Sequence, residues 1–178
     1  NQILSSQKRL IEFLAKSDLS VDLKPRHDRI IDLFPDHFAE LEDISKDHYH
    51  LLESRQKGLS RDLVQNYQLL LWDQIGTGTL DCFVQQIPCM IYWERIYSRE
   101  LSSVKSSIAG LEKVGVVHAS LPGLVKEILI MLDDPLAWMN DENRIMAIDC
   151  FCYNFSRKDK NWPVLWRRAF KELHKSTN

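Results

Sequence analysis

The sequence has no apolar run that approaches the ~18 residues needed to cross a bilayer, and its first residues do not resemble a secretory signal peptide. It also has no basic excess, because 23 lysines and arginines stand against 25 aspartates and glutamates, a net charge of −2. A protein held on nucleic acid by phosphate contacts needs such an excess. The composition therefore argues against a membrane-spanning protein and against a nucleic-acid partner.

No C-x-x-C pair is present. The four cysteines all lie in apolar segments, at Cys82, Cys89, Cys150 and Cys152. This pattern predicts reduced, buried and poorly reactive thiols in a reducing compartment, and hence a cytoplasmic protein. His48 and His50 form an H-x-H, but no third ligand lies at a convincing spacing, so surface histidines are favoured over a metal site.

Several catalytic signatures are missing, including the G-x-S-x-G elbow, the Walker lysine motif and G-x-G-x-x-G, and there is no internal repeat. The length of 178 residues, with 44% hydrophobic and 27% charged residues, fits one globular domain. We expect residues 1–178 to form that domain, with 134–178 as a terminal helical extension. Because the chain begins at Asn1 rather than Met, we also expect it to be part of something longer.

What is present is a strand, turn, helix and strand pattern between Gln68 and Trp93, QLLLWDQIGTGTLDCFVQQIPCMIYW. Two short apolar runs without alternation flank it, which is typical of strands buried on both faces of a parallel sheet. Between them, Gly76 and Gly78 allow a sharp turn and close approach of a ligand to the backbone. The pattern predicts a βαβ unit whose turn either binds a phosphate at the helix start or merely caps the helix.

The order of residues after the turn resembles the carboxy-terminal domain of GT-B glycosyltransferases. Thr77, Gly78, Thr79 and Leu80 precede an acidic residue, Asp81, and a proline follows seven positions later before CMIYW. The unit is most similar to bacterial surface-carbohydrate transferases, of capsule and lipopolysaccharide synthesis, with a T-x-x-L-E…N-x-P-x-x-x-x-W pattern. Asp81 stands where that pattern has Glu, and Gln86 where it has Asn or Gly.

The resemblance implies roles for the residues of this turn. Thr77, Gly78 and Thr79 are expected to hold the donor phosphate, and Asp81 the donor ribose. No obligatory metal or other cofactor is implied beyond the nucleotide-sugar donor. Some of the resembled enzymes use a CMP-linked sugar, which makes CMP a first ligand to test. The catalytic residue stays unknown, because it would normally come from a missing N-terminal acceptor domain.

A second candidate segment follows the predicted strand Leu19 to Pro25, whose carboxyl end carries Lys24, Arg26 and His27. Open α/β sheets bind ligands at the carboxyl ends of strands, so these cations are candidates for the donor phosphate, with solvated loop charges as the alternative. Glu53 and Ser54 are weaker candidates for contacting the nucleoside base.

Strands alternating with helices predict an α/β fold, a Rossmann-like parallel sheet of about five strands with helices on both faces, as in half of a GT-B fold. We place Leu69 to Asp73 and Cys89 to Trp93 adjacent in the middle of that sheet. Ala39 to Ile44 is expected to form a short edge strand, and Tyr49 to Tyr67 two short helices. Five aromatic residues of the carboxy-terminal helices are expected to be packing anchors: Trp138, Phe151, Trp162, Trp166 and Phe170.

The sequence thus favours the donor-binding half of a glycosyltransferase of bacterial surface polysaccharide biosynthesis. Its partners would be a nucleotide-sugar donor, the missing acceptor domain and a glycan acceptor, with peripheral association of the full protein at the inner face of the membrane. A non-catalytic Rossmann-like interaction module, in which the GTGTLD turn is only structural, remains an alternative. Another GT-B enzyme, such as a sugar-nucleotide epimerase or a polyol-phosphate transferase, is a further one.

Overall fold

The computed structural model describes residues 2–25, 27–45, 48–52, 65–94, 100–157 and 159–176, in which short strands alternate with helices. The described strands are β1 (Val21–Leu23), β2 (Tyr49–Leu51), β3 (Leu70–Trp72), β4 (Cys89–Tyr92) and β5 (Val117–His118). The described helices are α1 (Gln2–Lys16), α2 (Arg29–Leu33), α3 (Pro35–Ser45), α4 (Thr77–Gln85), α5 (Ser102–Lys113), α6 (Leu121–Asp133), α7 (Pro135–Met139), α8 (Glu142–Phe155) and α9 (Trp162–Ser176).

Every described strand pairing is parallel. β4 lies between β3 and β5, with Leu70 opposite Cys89 and Ile91 opposite Val117. β1 pairs separately with β2, in a register that places Val21 opposite Tyr49. The predicted parallel α/β fold is therefore confirmed, although its described hydrogen bonds form a two-stranded and a three-stranded sheet.

The strand β4 shows why the sheet has helices on both faces. Its four residues are all buried, and successive side chains of a strand point to opposite faces. Cys89 and Ile91 belong to an apolar cluster with residues of α4, α5 and α8, whereas Met90 and Tyr92 join a cluster with residues of α1, α6 and α7. The unbroken apolar run is thus needed by two cores at once.

The two sheets meet through β1. Val21 packs in the same cluster as Leu69 and Leu71, and the Tyr67 hydroxyl donates a hydrogen bond of 2.6 Å to Oδ2 of Asp22. β3 pairs only with β4 among the described strands, so the expectation that it is hydrogen-bonded in the middle of one sheet is wrong. Side chains rather than backbone hydrogen bonds connect β1 to the segment that carries β3.

Two local predictions are also wrong. Residues 39–44 lie inside α3, which buries Phe38 and Leu41 at helical spacing, rather than in an edge strand. The segment from Tyr49 begins with strand β2, and the later part of the two helices predicted there lies outside the described residues. The residues before α3 form the short helix α2, which includes Ile30 and Ile31.

The carboxy-terminal extension is divided in its packing. Trp138 and Phe151 are buried, and the Phe151 ring meets the Phe83 ring edge to face at 5.8 Å between centroids. These two residues are packing anchors, as predicted. Trp162, Trp166 and Phe170 are about 60% exposed, so the same prediction is wrong for them.

The thiols differ in environment. No disulfide joins any of the four cysteines; Cys82 and Cys89 are buried, but Cys150 is exposed, which corrects the expectation of uniform burial. A hydrogen bond between Cys82 and Cys89 lowers the pKa of the first thiol and raises that of the second.

Among the described helices, none is long and apolar enough to cross a bilayer.

Candidate functional site

The turn between β3 and α4 is built around an internal hydrogen-bond pair. Gly76 is the N-cap of α4 and has an extended backbone. The Thr79 hydroxyl accepts a hydrogen bond from the Gly76 N–H at 3.4 Å and donates one to the Gln74 carbonyl at 3.1 Å. Because Thr79 is fully buried, its hydroxyl is turned into the protein and stabilises the turn as the far half of a capping box.

Gly78 is required by packing against the strand that precedes it. A Cβ atom at this position would lie 2.3 Å from Cη2 of Trp72 and 2.8 Å from its Cζ3. The indole therefore occupies the space that a side chain would take. At Gly76, by contrast, a Cβ would meet no atom within 4 Å, so Gly76 is the glycine of this turn that borders open space.

The exposed side of α4 carries the remaining predicted residues. Thr77 and Asp81 are both exposed, and their spacing of four residues places them on one face of the helix. Thr77 is the first helical residue, where amide N–H groups have no carbonyl partner within the helix. This face thus combines free helix-start amides, a hydroxyl and, one turn later, a carboxylate.

The predicted cations after β1 are only partly described. Lys24 is half-buried, Pro25 is buried and His27 is exposed. Arg26, Glu53 and Ser54 lie outside the described residues. The Tyr67 hydroxyl bonds to Asp22, and Val21 packs with Leu69 and Leu71, so β1 lies beside the segment that carries β3.

Asp73 is a candidate that the sequence reasoning missed. It follows β3 directly and stands just before the turn. Desolvation by the surrounding protein raises the pKa of its carboxyl group, even though much of the residue is accessible to solvent. A carboxyl group with a raised pKa beside a turn that is predicted to bind a ligand is a candidate proton donor or acceptor. The signal available in the sequence was its position at the carboxyl end of an apolar strand.

The next strand is also followed by a carboxylate, Glu94. Arg9 from α1 donates to both of its oxygens, at 2.7 and 2.8 Å, and the Tyr92 hydroxyl donates to Oε1. Partial burial opposes ionisation, but hydrogen bonds from Ser6 and Tyr92 together with the Arg9 charge lower the pKa of Glu94 overall. The carboxylate is therefore ionised and held against α1.

At the end of β5, desolvation lowers the pKa of His118, and its Nε2 lies 2.9 Å from the Gly115 carbonyl oxygen. Neutral imidazole is thus favoured there.

No group of three or more potential metal ligands occurs among the residues that the structure describes. In the H-x-H pair, His48 lies 3.7 Å from an Asp18 oxygen, and His50 is exposed.

Comparison with known proteins gives one match. A family model described as LIC12162 family transferase matches residues 27–170, which is most of the chain. The matched range includes His27, the β3 to α4 turn and Asp81, and begins just after Lys24. Comparison with curated proteins and with solved structures found no match.

Proposed function

Because this chain belongs to the LIC12162 family of transferases, we propose that it is the donor-binding half of a GT-B glycosyltransferase of bacterial surface polysaccharide biosynthesis. The observation that carries the proposal is the start of α4, where Gly76 borders open space and Thr77 is exposed in the turn that follows a sheet strand. Helix starts carry about half a positive charge and free N–H donors, which suit a phosphate.

In this proposal the turn binds the phosphate of a nucleotide-sugar. An acceptor hydroxyl attacks the anomeric carbon, the bond from that carbon to the phosphate oxygen breaks, and the phosphate leaves with the electron pair. The amides at the start of α4 and the Thr77 hydroxyl stabilise the departing charge, assisted by the cations Lys24 and His27. Asp81, one turn along the same helix face, accepts hydrogen bonds from the ribose diol. Gly78 and Thr79 act indirectly, because they hold the turn in shape.

The rest of the proposed reaction lies outside this chain. A second domain supplies the glycan acceptor site and the base that takes the proton of the acceptor hydroxyl. Asp73 is the described group closest in sequence to the turn that has a raised pKa, and we assign it the role of a hydrogen-bond partner to the donor. The donor is a nucleotide-sugar in the cytoplasm, with a CMP-linked sugar as the first candidate. Without that second domain, this chain is expected to bind donor and to transfer nothing by itself.

Calorimetric titration with CMP, UDP, GDP and dTDP tests donor binding. Asp81→Asn should weaken a nucleoside and its nucleotide alike, by roughly tenfold for one lost charged hydrogen bond. Gly76→Val should weaken only the nucleotide, because its side chain enters the open space at the phosphate position. Asp149→Asn and Gly110→Ala are matched controls, since Asp149 is exposed on α8 and a Cβ at Gly110 meets nothing within 4 Å.

The cationic contribution is tested with Lys24→Ala, whose effect on nucleotide affinity should shrink as salt is added, because a point charge is screened. If none of the four nucleotides binds, the proposed donor-binding function is wrong. If a nucleotide binds but Asp81→Asn, Gly76→Val and Lys24→Ala all leave its affinity unchanged, the donor site lies elsewhere on the chain. Each variant is first shown to keep the circular dichroism spectrum and melting temperature of the parent chain.

A second candidate function is the non-catalytic interaction module. Gly78 packs against Trp72, and Thr79 bonds to the Gln74 carbonyl, so both residues of the GTGTLD turn have structural roles that need no ligand. These roles favour the interaction module. Absence of nucleotide binding in the titration above would select this function. If nucleotide does bind, product analysis with the protein that carries both domains would separate a glycosyltransferase from a sugar-nucleotide epimerase or a polyol-phosphate transferase.

A further inference from the structure

The last helix, α9, has an apolar face that the described protein does not cover. Trp162, Trp166, Phe170 and Leu173 recur at spacings of four, four and three residues, which places them along one side of the helix. Each is 57–62% exposed, and every described side chain from 162 to 175 is exposed. The Trp166 and Phe170 rings stack along this side, with 5.4 Å between their centroids.

The same helix is strongly basic in a chain whose net charge is negative. It carries four lysines and arginines, Arg167, Arg168, Lys171 and Lys175, and one acidic residue, whereas the whole chain has a net charge of −2. Arg168 pairs with Glu172 at 2.9 Å. The other three cations line a shallow groove on α9 together with Trp162, Trp166 and Phe170. Aromatic rings and cations that pair with no carboxylate among the described residues therefore share one surface.

We propose that α9 lies on the surface of a membrane that contains anionic lipid. The aromatic and leucine side chains enter the boundary between headgroups and acyl chains, and Arg167, Lys171 and Lys175 contact lipid phosphates. A helix with Trp, Phe and Leu on one face and Lys and Arg beside them has the composition of interfacial helices. Its 15 residues span only about 22 Å, so it lies in the interface plane and does not cross the bilayer.

The charge of α9 favours an anionic membrane over the other partners that could cover its apolar face. A second copy of α9 would bring Arg167, Lys171 and Lys175 against the same three cations, and lysine is depleted in the cores of protein interfaces. Nucleic acid would use the cations but would leave Leu173 and most of the apolar face in water. An anionic lipid surface uses both properties, because it offers phosphates and hydrocarbon at neighbouring depths. The inference does not depend on the donor site at α4.

The test is co-sedimentation of the 178-residue chain with vesicles of phosphatidylcholine alone and of phosphatidylcholine mixed with phosphatidylglycerol. We expect binding to the anionic vesicles to be at least roughly tenfold stronger and to fall as salt is added. A blue shift of tryptophan emission should accompany it, since Trp162 and Trp166 leave water. Trp166→Ser together with Phe170→Ser should abolish both signals, and Lys171→Glu together with Lys175→Glu should abolish the preference for anionic lipid.

Matched controls are available elsewhere on the surface. Met146→Ser removes an equally exposed apolar side chain from α8, and Lys105→Glu reverses an exposed charge on α5; neither should change vesicle binding. Because α9 packs against little, its variants should melt at the temperature of the parent chain. Equal binding to both vesicle types, or unchanged binding by the α9 variants, would overturn the proposal. So would a concentration-dependent dimer, seen by light scattering, that Trp166→Ser with Phe170→Ser dissolves while anionic vesicles bind neither form.

Discussion

Replacing Gly78 by alanine tests whether this glycine is there for packing. The added Cβ would lie 2.3 Å from Cη2 and 2.9 Å from Cζ2 of Trp72, far inside van der Waals contact. The outer edge of the indole must move, and it cannot do so freely, because Trp72 packs against the cluster that contains Cys82 and Phe83. Either the ring shifts into its neighbours or the start of α4 moves away from β3.

The size of the effect follows from two opposing terms. Overpacking of this kind lowers the free energy of unfolding by about 1–3 kcal/mol. Alanine in place of glycine inside a helix returns about 0.5–1 kcal/mol. We therefore expect Gly78→Ala to destabilise the protein by about 1–2 kcal/mol, which for a chain of this size lowers Tm by about 2–8 °C.

Urea unfolding followed by circular dichroism at the helix band measures this change. The matched controls are Gly76→Ala, in the same turn, and Gly110→Ala, in α5; a Cβ at either position meets nothing within 4 Å. We expect Gly76→Ala to lower stability by no more than about 1 kcal/mol, because alanine is less favourable than glycine at an N-cap. We expect Gly110→Ala to increase stability by about 0.5–1 kcal/mol.

A double-mutant cycle with Trp72→Phe isolates the contact. Phenylalanine lacks the outer indole atoms that the new Cβ would meet, so Gly78→Ala should be tolerated in the Trp72→Phe background. The coupling free energy should exceed about 1 kcal/mol. A coupling below about 0.3 kcal/mol, or a Gly78→Ala protein as stable as the parent, would show that Gly78 is not held by the indole, and would restore the ligand-facing interpretation of this glycine.

Two further predictions concern other parts of the fold. Arg144 is buried and donates hydrogen bonds to the carbonyls of Val114 and Trp138 and, at 2.9 Å, to Glu127, so Arg144→Met should lower the free energy of unfolding by about 3 kcal/mol. Arg168→Met, which breaks the exposed ion pair on α9, should lower it by at most about 0.5 kcal/mol. Equal losses in the two variants would contradict this prediction. Gln86 ends α4 with φ of 57°, a left-handed backbone that glycine adopts easily and valine does not. The melting temperature should therefore be higher for Gln86→Gly than for the parent chain, and lower for Gln86→Val. The reverse order would refute left-handed strain at this residue.

The prediction from sequence was most accurate where a short run of residues must be apolar on both faces of a strand. The run from Cys89 to Tyr92 has no polar position, and the structure explains this by an apolar cluster on each face of β4. The departure at Gln86 also becomes clear. The resembled pattern has Asn or Gly there, the residues that best tolerate a left-handed backbone, and Gln86 adopts that backbone without being either.

Elements whose type depends on distant contacts were predicted poorly. Residues 39–44 are too few to separate alternation from helical spacing, and α3 is decided by Phe38 and Leu41 packing against Ile11 of α1. β2 is only three residues long and exists because it pairs with β1. The aromatic residues of α9 were predicted to be buried, because composition alone does not show whether another surface lies opposite them.

Within the candidate site, helix geometry separates the two halves of the GTGTLD motif. Gly78 and Thr79 lie one turn before Cys82 and Phe83, so they share the face of α4 that is buried against Trp72 and the core. Thr77 and Asp81 occupy the opposite, exposed face by the same periodicity. A packed turn would preserve only the first pair, whereas a donor site needs the second pair and the open Gly76. The functional interpretation therefore depends on Gly76, Thr77 and Asp81, and variants at these three positions test it without disturbing the fold.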